Sequence, residues 1–422
     1  MGTLFNFGGI FGELSNKHKE VQVLCQRGNF IFQKAGHGLF YTATVRSIRR
    51  RRDKLDFVYD CGSKSVSIID KSIDSYSRNA NNLKRKKKID LLAISHFHSD
   101  HVSGLNKLVS VSSIKTVVIP YFHPVERLLI SFEEDLQAEE WYLSFLIDPV
   151  QWLLSDNKAN NVIIIGHNKE KEEREFPENT DDSIGDNLLD GLDDDANLER
   201  EYSRNEETEI LKEGRVYFKS DNNTAFLSHY SWIMRFYSPH PDRSKIAKIE
   251  SWIKSSTNTK SSLNEIIKEI VLDKNKRALL KSEYEKEFGS TKHNEMSLTL
   301  FHAPIKCCCS SCFTASHNTD HLCYGKGQLL TGDLPLKTEY ELAALTTHFG
   351  KCLDYTRCVQ IPHHGSVNNW NSKLTKILMN CQLWINSAKH GDPLFPSTVV
   401  ENALRQASRK LLRCTENSSV IL

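Results

Sequence analysis

The run His96-Phe97-His98-Ser99-Asp100-His101 directly follows an apolar segment, Ile89 to Ser95. The segment reads as a buried strand, so three imidazoles and a carboxylate crowd the point where a strand gives way to a loop. Neutral imidazole nitrogen and carboxylate oxygen are donors that zinc, manganese and iron accept. His96 and His98, two apart, can pinch one ion, and Asp100 and His101 can reach a second. The run therefore demands a fold that brings other strand ends to the same place, because a pair of ions needs more donors than these four.

Candidates for those donors lie at other strand ends. Asp333 follows Leu330-Thr331-Gly332, and a carboxylate there can bridge two ions. Pro362-His363-His364-Gly365-Ser366 also follows a strand, and suits one ligand imidazole beside one that faces substrate or donates a proton. Asp60, in Tyr59-Asp60-Cys61-Gly62, is placed as an outer acceptor that orients a ligand histidine. Asp-Gly and His-Gly turns are common singly. Four such clusters in one chain are harder to dismiss.

Strand-like segments occupy Val21–Leu24, Leu39–Val45, Leu55–Asp60, Thr116–Ile119, Trp232–Tyr237, Ser297–Phe301, Gln328–Thr331, Cys358–Ile361 and Gln382–Asn386. Helical spacing is expected over 66–76, 104–109, 125–155, 245–287, 338–348, 371–380 and 397–410. Strands interleaved with helices indicate an α/β core. The chain divides into 1–124, a central 125–290 and 291–422, with the outer parts supplying the core. The centre reads as a helical insertion with an acidic, mobile stretch at 169–213, and its strand near 230–238 can rejoin the core.

At 422 residues, 39% hydrophobic and 26% charged, the composition is that of an ordinary soluble globular protein. No apolar run approaches membrane-helix length, and residues 1–20 lack a signal-peptide pattern. No membrane partner is expected. Eleven cysteines without such a pattern point to reduced thiols and a cytoplasmic setting. The net charge of +2 conceals an asymmetry: residues 169–213 hold 18 acidic against 6 basic residues. The rest of the chain therefore carries +14, much of it in Arg49–Arg52 and Lys84–Lys88. A basic body suits a phosphate-bearing partner, although solvated hairpin tips explain either run alone.

The set Gly36-His37-Gly38, Asp60-Cys61-Gly62, His96-x-His98-x-Asp100-His101, Asn294-x-x-Ser297-Leu298, Thr331-Gly332-Asp333 and Pro362-His363-His364-Gly365-Ser366 resembles the metallo-β-lactamase superfamily. It is most similar to the soluble ComEC/Rec2-type hydrolase domain, over roughly 21–124 and 291–422. The resemblance implies a four-layer αββα sandwich with two divalent ions, Zn or Mn, at one edge. It implies His96 and His98 on the first ion, and Asp100 and His101 on the second. Asp333 would bridge, and His363 or His364 would complete the second site. The further histidine that many members place on the first ion has one candidate, His240. Asp100 would orient the attacking hydroxide and His364 would protonate the leaving group.

The implied activity is hydrolysis, first of a DNA phosphodiester. The alternatives are a small-molecule hydrolase acting on a lactone, phosphoester or nucleotide, and an effector of bacterial defence regulated by a protein partner. The acidic stretch could shield a basic groove or bind that partner. Lys389 and His390, in a loop after a strand, are candidate phosphate contacts. Cys309-x-x-Cys312 with His321 and Cys323 has the spacing of a structural zinc site, against a reduced Cys-rich loop.

Overall fold

The computed structural model describes residues 26–47, 54–78, 86–133, 140–166, 215–220, 224–227, 232–239, 244–256, 263–288, 296–304 and 327–422. Two sheets stack face to face. The first begins with β1 (Gln26–Phe32), β2 (Tyr41–Ser47) and β3 (Lys54–Tyr59), which pair antiparallel. It continues with β4 (Lys87–Ala93), β5 (Ser112–Pro120), β6 (Ala159–Gly166) and β7 (Val216–Ser220), parallel from β3 onward. The second sheet opens antiparallel, with β8 (Thr224–Leu227), β9 (Trp232–Tyr237), β10 (Thr299–Pro304) and β11 (Gly327–Leu330). It becomes parallel through β12 (Thr356–Gln360), β13 (Leu383–Ser387) and β14 (Lys410–Cys414). The chain then returns to the first sheet, where β15 (Val420–Ile421) pairs with β1.

The alternation of side chains along each strand builds the layers. In β4, Leu91 and Ala93 face the second sheet, while Leu92 and the following Ile94 face outward. In β6, Ile163 and Ile165 point inward, and Val162 and Ile164 outward. The outward rows are covered by α1 (Val66–Arg78) and, after the short turn α2 (Ser99–Val102), by α3 (Leu105–Val111). Past α4 (Pro124–Glu133), the helices α5 (Glu140–Ile147) and α6 (Pro149–Leu154) complete that layer. On the far side, Leu329, Val359 and Trp384 of the second sheet pack under further helices. Helix α4 belongs instead to a separate cluster with α7 (Ser244–Ser256), α8 (Leu263–Leu272) and Leu280 of α9 (Lys274–Phe288). The helices over the second sheet are α10 (Glu339–Phe349), α11 (Leu374–Ile377) and α12 (Thr398–Gln406). The result is the expected four-layer αββα sandwich.

Several elements differ from the sequence expectation. The centre, 125–290, is not wholly an insertion, because β6 and β7 extend the first sheet and β8 and β9 form one end of the second. The expected helix over 371–380 shrinks to one turn, α11. The helix expected over 397–410 starts on its Ser397 cap but stops at Gln406, because Ser408 adopts φ +53° and Lys410 opens β14. The strand expected over 21–24, the basic runs at 49–52 and 84–85, and the acidic stretch 169–213 lie outside the described residues. Among the described residues, no helix is long and apolar enough to cross a membrane. The described cysteines, such as Cys61 and Cys358, are free and buried.

Candidate metal centre

The polar residues sit where strands of both sheets end along one edge. This is where parallel α/β sheets leave backbone groups free and place ligands. The run after β4 is anchored by Phe97, which turns away into the outer layer against Phe122 and Phe145 at 4.8 and 4.9 Å. Tyr142 Oη donates to its carbonyl at 2.7 Å. The turn α2 then carries Asp100 and His101 back under His96, so that the His96 and His101 rings lie 4.1 Å apart. Close backbone passage requires Gly62, where a Cβ would stand 2.4 Å from the His101 carbonyl carbon.

Asp333 arrives from the second sheet. Gln360 shapes its turn: its side-chain oxygen accepts from the Thr331 and Gly332 N–H groups at 2.8 and 2.7 Å, and its amide donates to the Gly332 carbonyl at 3.1 Å. Gly332 has φ +55°, and a Cβ there would lie 2.2 Å from Ser297 Oγ. Asp60, His363 and His364 also hold positive φ, at 56°, 45° and 55°. Such conformations cost about 1–3 kcal/mol each and persist where surrounding contacts enforce them.

Hydrogen bonds fix the histidine tautomers. The Asp60 carboxylate accepts from Ser95 N at 2.6 Å, Ser95 Oγ at 2.7 Å and His101 Nδ1 at 2.8 Å. With its own proton given to Asp60, Ser95 Oγ accepts from His96 Nδ1 at 2.9 Å. His364 Nδ1 donates to the Ser387 carbonyl at 2.6 Å. His363 Nδ1 donates to Asn369 Oδ1 at 2.9 Å, the amide being oriented by its bond to the Asp333 carbonyl. Each Nδ1 therefore carries the proton, and each Nε2 presents a lone pair.

Those lone pairs point at carboxylates. His101 Nε2 lies 3.1 Å from Asp333 Oδ1, His96 Nε2 3.7 Å from Asp333 Oδ2, and His364 Nε2 3.5 Å from Asp100 Oδ2. All three nitrogens are buried without a hydrogen-bond partner, as is Asp333 Oδ1. Buried lone pairs facing buried carboxylates are stable only with positive charge between them. A divalent cation supplies it, so the residues present fit a metal. His96, His101 and Asp333 form one close donor group, and His37, Asp100 and His364 form another.

Without a metal, protons carry the charge. Burial works against an ionised Asp333, but His101, His363 and His96 outweigh it and hold it well below the carboxylate range. Burial likewise opposes a charged His101, yet Asp333 and Asp60 push it well above its ordinary value. Burial also opposes Asp100 ionisation, but the facing His364 and His101 outweigh it and lower the carboxyl's pKa. His96 is lowered by burial and then by His101. His37 is lowered to about 3 by burial and then by His364.

The structure gathers the expected ligands closely. His96, His101 and Asp333 form one group, because the α2 turn folds His101 beneath His96. His98 lies ring to ring 5.0 Å from His96, outside both donor groups. Asp100 joins His364, which is 1% exposed, so the histidine expected to donate a proton is deeply enclosed among ligands. His363, expected as a ligand, lies outside both groups with its side chain 24% exposed and Nε2 3.7 Å from Asp333 Oδ2. Lys389 and His390 are exposed, and from their loop it is Asp392 and Phe395 that reach His37, at 3.9 and 5.1 Å. The sequence reading gave His37, Ser95 and Gln360 no role. The glycines flanking His37 were the one signal for it. His240, Cys309, Cys312, His321 and Cys323 lie outside the described residues.

Two sheets between helical layers, with histidine and aspartate donors gathered at their shared edge, define a fold of the metallo-β-lactamase type. The family model described as the metallo-beta-lactamase superfamily matches residues 48–184, the segment that carries His96 to His101. That match implies a metal-dependent hydrolase. Among solved structures the chain is similar to the metallo-beta-lactamase fold protein YhfI from Bacillus subtilis, at 9% identity and TM-score 0.36, covering 94% of this chain and 100% of that one. No curated protein matches the chain.

Proposed function

We propose that this protein is a metal-dependent phosphodiesterase acting on DNA. The observation that carries the metal dependence is the set of buried, unpartnered Nε2 atoms aimed at Asp333 and Asp100. A divalent ion held by His96, His101 and Asp333 would supply Lewis-acid polarisation of a phosphoryl oxygen and of the attacking water. Asp100 would orient that water. His363, on the open side of Asp333, would exchange a proton with the leaving oxygen. Asn369 holds its Nδ1, which leaves Nε2 for that transfer. The phosphate preference is supported by the basic remainder of the chain and by Lys64, exposed beside the His37 turn.

The burial of the donors favours a second reading, a small-molecule hydrolase, because deeply buried groups are reached more readily by a nucleotide or lactone than by a duplex. The two separate in one assay. The purified chain is incubated with Mn²⁺ or Zn²⁺ and, in parallel, single-stranded DNA, plasmid, a nucleotide ester and a lactone. A chain carrying Asp100→Ala and His101→Ala serves as control. The proposal expects metal-dependent DNA cleavage that the control lacks, with binding that weakens steeply with salt. Turnover of the lactone or nucleotide without DNA cleavage selects the second reading. DNA cleavage equal in the control and the native chain refutes the proposal.

A further inference from the structure

The loop after β13 brings an aromatic ring to the edge where the histidines gather. Phe395 is half-buried, and its ring stands edge-on to His37 and His364, with centroids 5.1 and 6.3 Å away. Bonds within the chain hold the loop at several points. Ala388 N donates to the Cys414 carbonyl at 3.1 Å, and His390 N to Glu416 Oε2 at 2.8 Å. Asp392 Oδ1 accepts from the Leu394 and Phe395 N–H groups at 2.9 and 3.2 Å. Ser397 N donates to the Gly365 carbonyl at 2.9 Å, and Pro396 packs so closely that a Cβ on Gly365 would lie 2.5 Å from its Cβ. The ring is therefore fixed in place ahead of any substrate, which spares the ordering cost at binding.

Large apolar side chains remain exposed around this junction. Leu394, beside Phe395, is 68% exposed, Val399 in the first turn of α12 is 51% exposed, and Val367 is 38% exposed. Each lies two residues from Gly365, Pro396 or Ser397, the three residues that join the loop to the His364 turn. Single exposed apolar residues are ordinary on a protein surface, whereas a cluster beside a polar site marks a ligand surface. Lys389, exposed on the same loop, adds a positive charge. An apolar rim with a cation beside it suits a ligand that presents a flat apolar face and a phosphate together. A nucleotide has that character only when its base is out of the stack, because neighbours in a duplex cover both faces of each base.

We infer that Phe395, flanked by Leu394, Val367 and Val399, is a stacking platform for an unpaired nucleobase, so that the substrate is single-stranded or frayed DNA and not intact duplex. This rests on the DNA phosphodiesterase reading above and narrows it.

The test measures Mn²⁺-dependent cleavage of a single-stranded oligonucleotide, of the same strand in a duplex, and of a strand in which tetrahydrofuran abasic units replace the nucleotides. The native chain should prefer the single strand to the duplex. Phe395→Ala should raise KM for the single strand at least about 5-fold, the lower end for loss of one base–aromatic stack, with kcat within threefold of native. Phe395→Trp should restore a low KM. On the abasic strand, KM should be the same in the native chain and in Phe395→Ala. Phe395→Leu keeps an apolar side chain but loses the flat face, and it carries the test if circular dichroism shows that the alanine variant does not fold. A KM within twofold of native in these variants overturns the inference. So does an equal rise in KM on the abasic strand, which would make Phe395 a support for the loop alone, and so does a native preference for duplex. Absence of metal-dependent cleavage of every strand by the native chain overturns the DNA reading and the inference with it, whereas cleavage indifferent to Phe395 overturns the inference alone.

Discussion

Replacing Asp60 with asparagine changes one buried atom from acceptor to donor at constant shape. Three donors converge on that carboxylate, Ser95 N, Ser95 Oγ and His101 Nδ1, and two of them share Oδ2. If the amide nitrogen takes the Oδ2 position, Ser95 Oγ can rotate and accept, but His101 Nδ1 cannot keep its proton against an N–H donor. The proton moves to Nε2, and the lone pair that faces Asp333 at 3.1 Å disappears. If the nitrogen takes the other position, it meets the Ser95 backbone N–H, which cannot rotate away. Losing such an outer partner costs about 10–100-fold in metal affinity, or about 1.4–2.8 kcal/mol. The assay is competition between Asp60→Asn and a chelator of known affinity for Zn²⁺. Nitrogen-15 shifts of the His101 ring report the tautomer. A native His101 tautomer together with metal affinity within threefold of native would refute the reasoning, since the carboxylate would then have no orienting role.

Other perturbations have equally defined outcomes. Gly332→Ala places a Cβ against Ser297 Oγ at φ +55°, so it should cost at least about 1–2 kcal/mol in denaturant unfolding and reduce turnover about 100-fold by displacing Asp333. Chelation should lower thermal stability: an ion present at 100 times its Kd contributes about 2.7 kcal/mol, so a melting curve unchanged by chelator argues against the centre. His302, fully buried with its Nε2 3.0 Å from Tyr41 Oη, is lowered to about 3 by burial. It stays neutral in the fold while the unfolded chain protonates near 6.5. Its contribution is therefore complete above pH 6.5 and is lost as pH falls toward 3, about 2–3 kcal/mol by pH 4.5. Urea unfolding of His302→Gln should show a correspondingly flatter acid limb, and parallel limbs would refute the assignment.

The sequence exposed the parts of this protein that depend on neighbours along the chain. The apolar run before His96 had to be a strand, since Leu91 and Leu92 are both buried, one on each face of the sheet. The strand-end positions of Asp60, Asp333 and His363-His364 were legible for the same reason. Less visible were strands whose pairing decides their state. The Val162–Ile165 run is as apolar as β4, but it stood inside a region read as helical, and pairing with β5 and β7 makes it a strand. The 371–380 segment has helical spacing, yet it serves to pack Leu374 and Leu378 under the second sheet and keeps just one turn.

What the sequence by itself determined is the chemistry available: histidines and aspartates at strand ends, hence a cation centre between two sheets. Only the tertiary structure decided how they are shared. Spacing along the chain put His96 beside His98, and the α2 turn and Ser95 bring His101 against it as well. Spacing gave His37 no partner, because Asp100 lies 63 residues away and His364 lies in the other sheet. The physical reason is that a donor's allegiance depends on where its lone pair points. That direction is set by the group holding the other ring nitrogen, and for His101 and His364 those groups, Asp60 and Ser387, are distant in sequence and come close only when neighbouring strands of each sheet have paired.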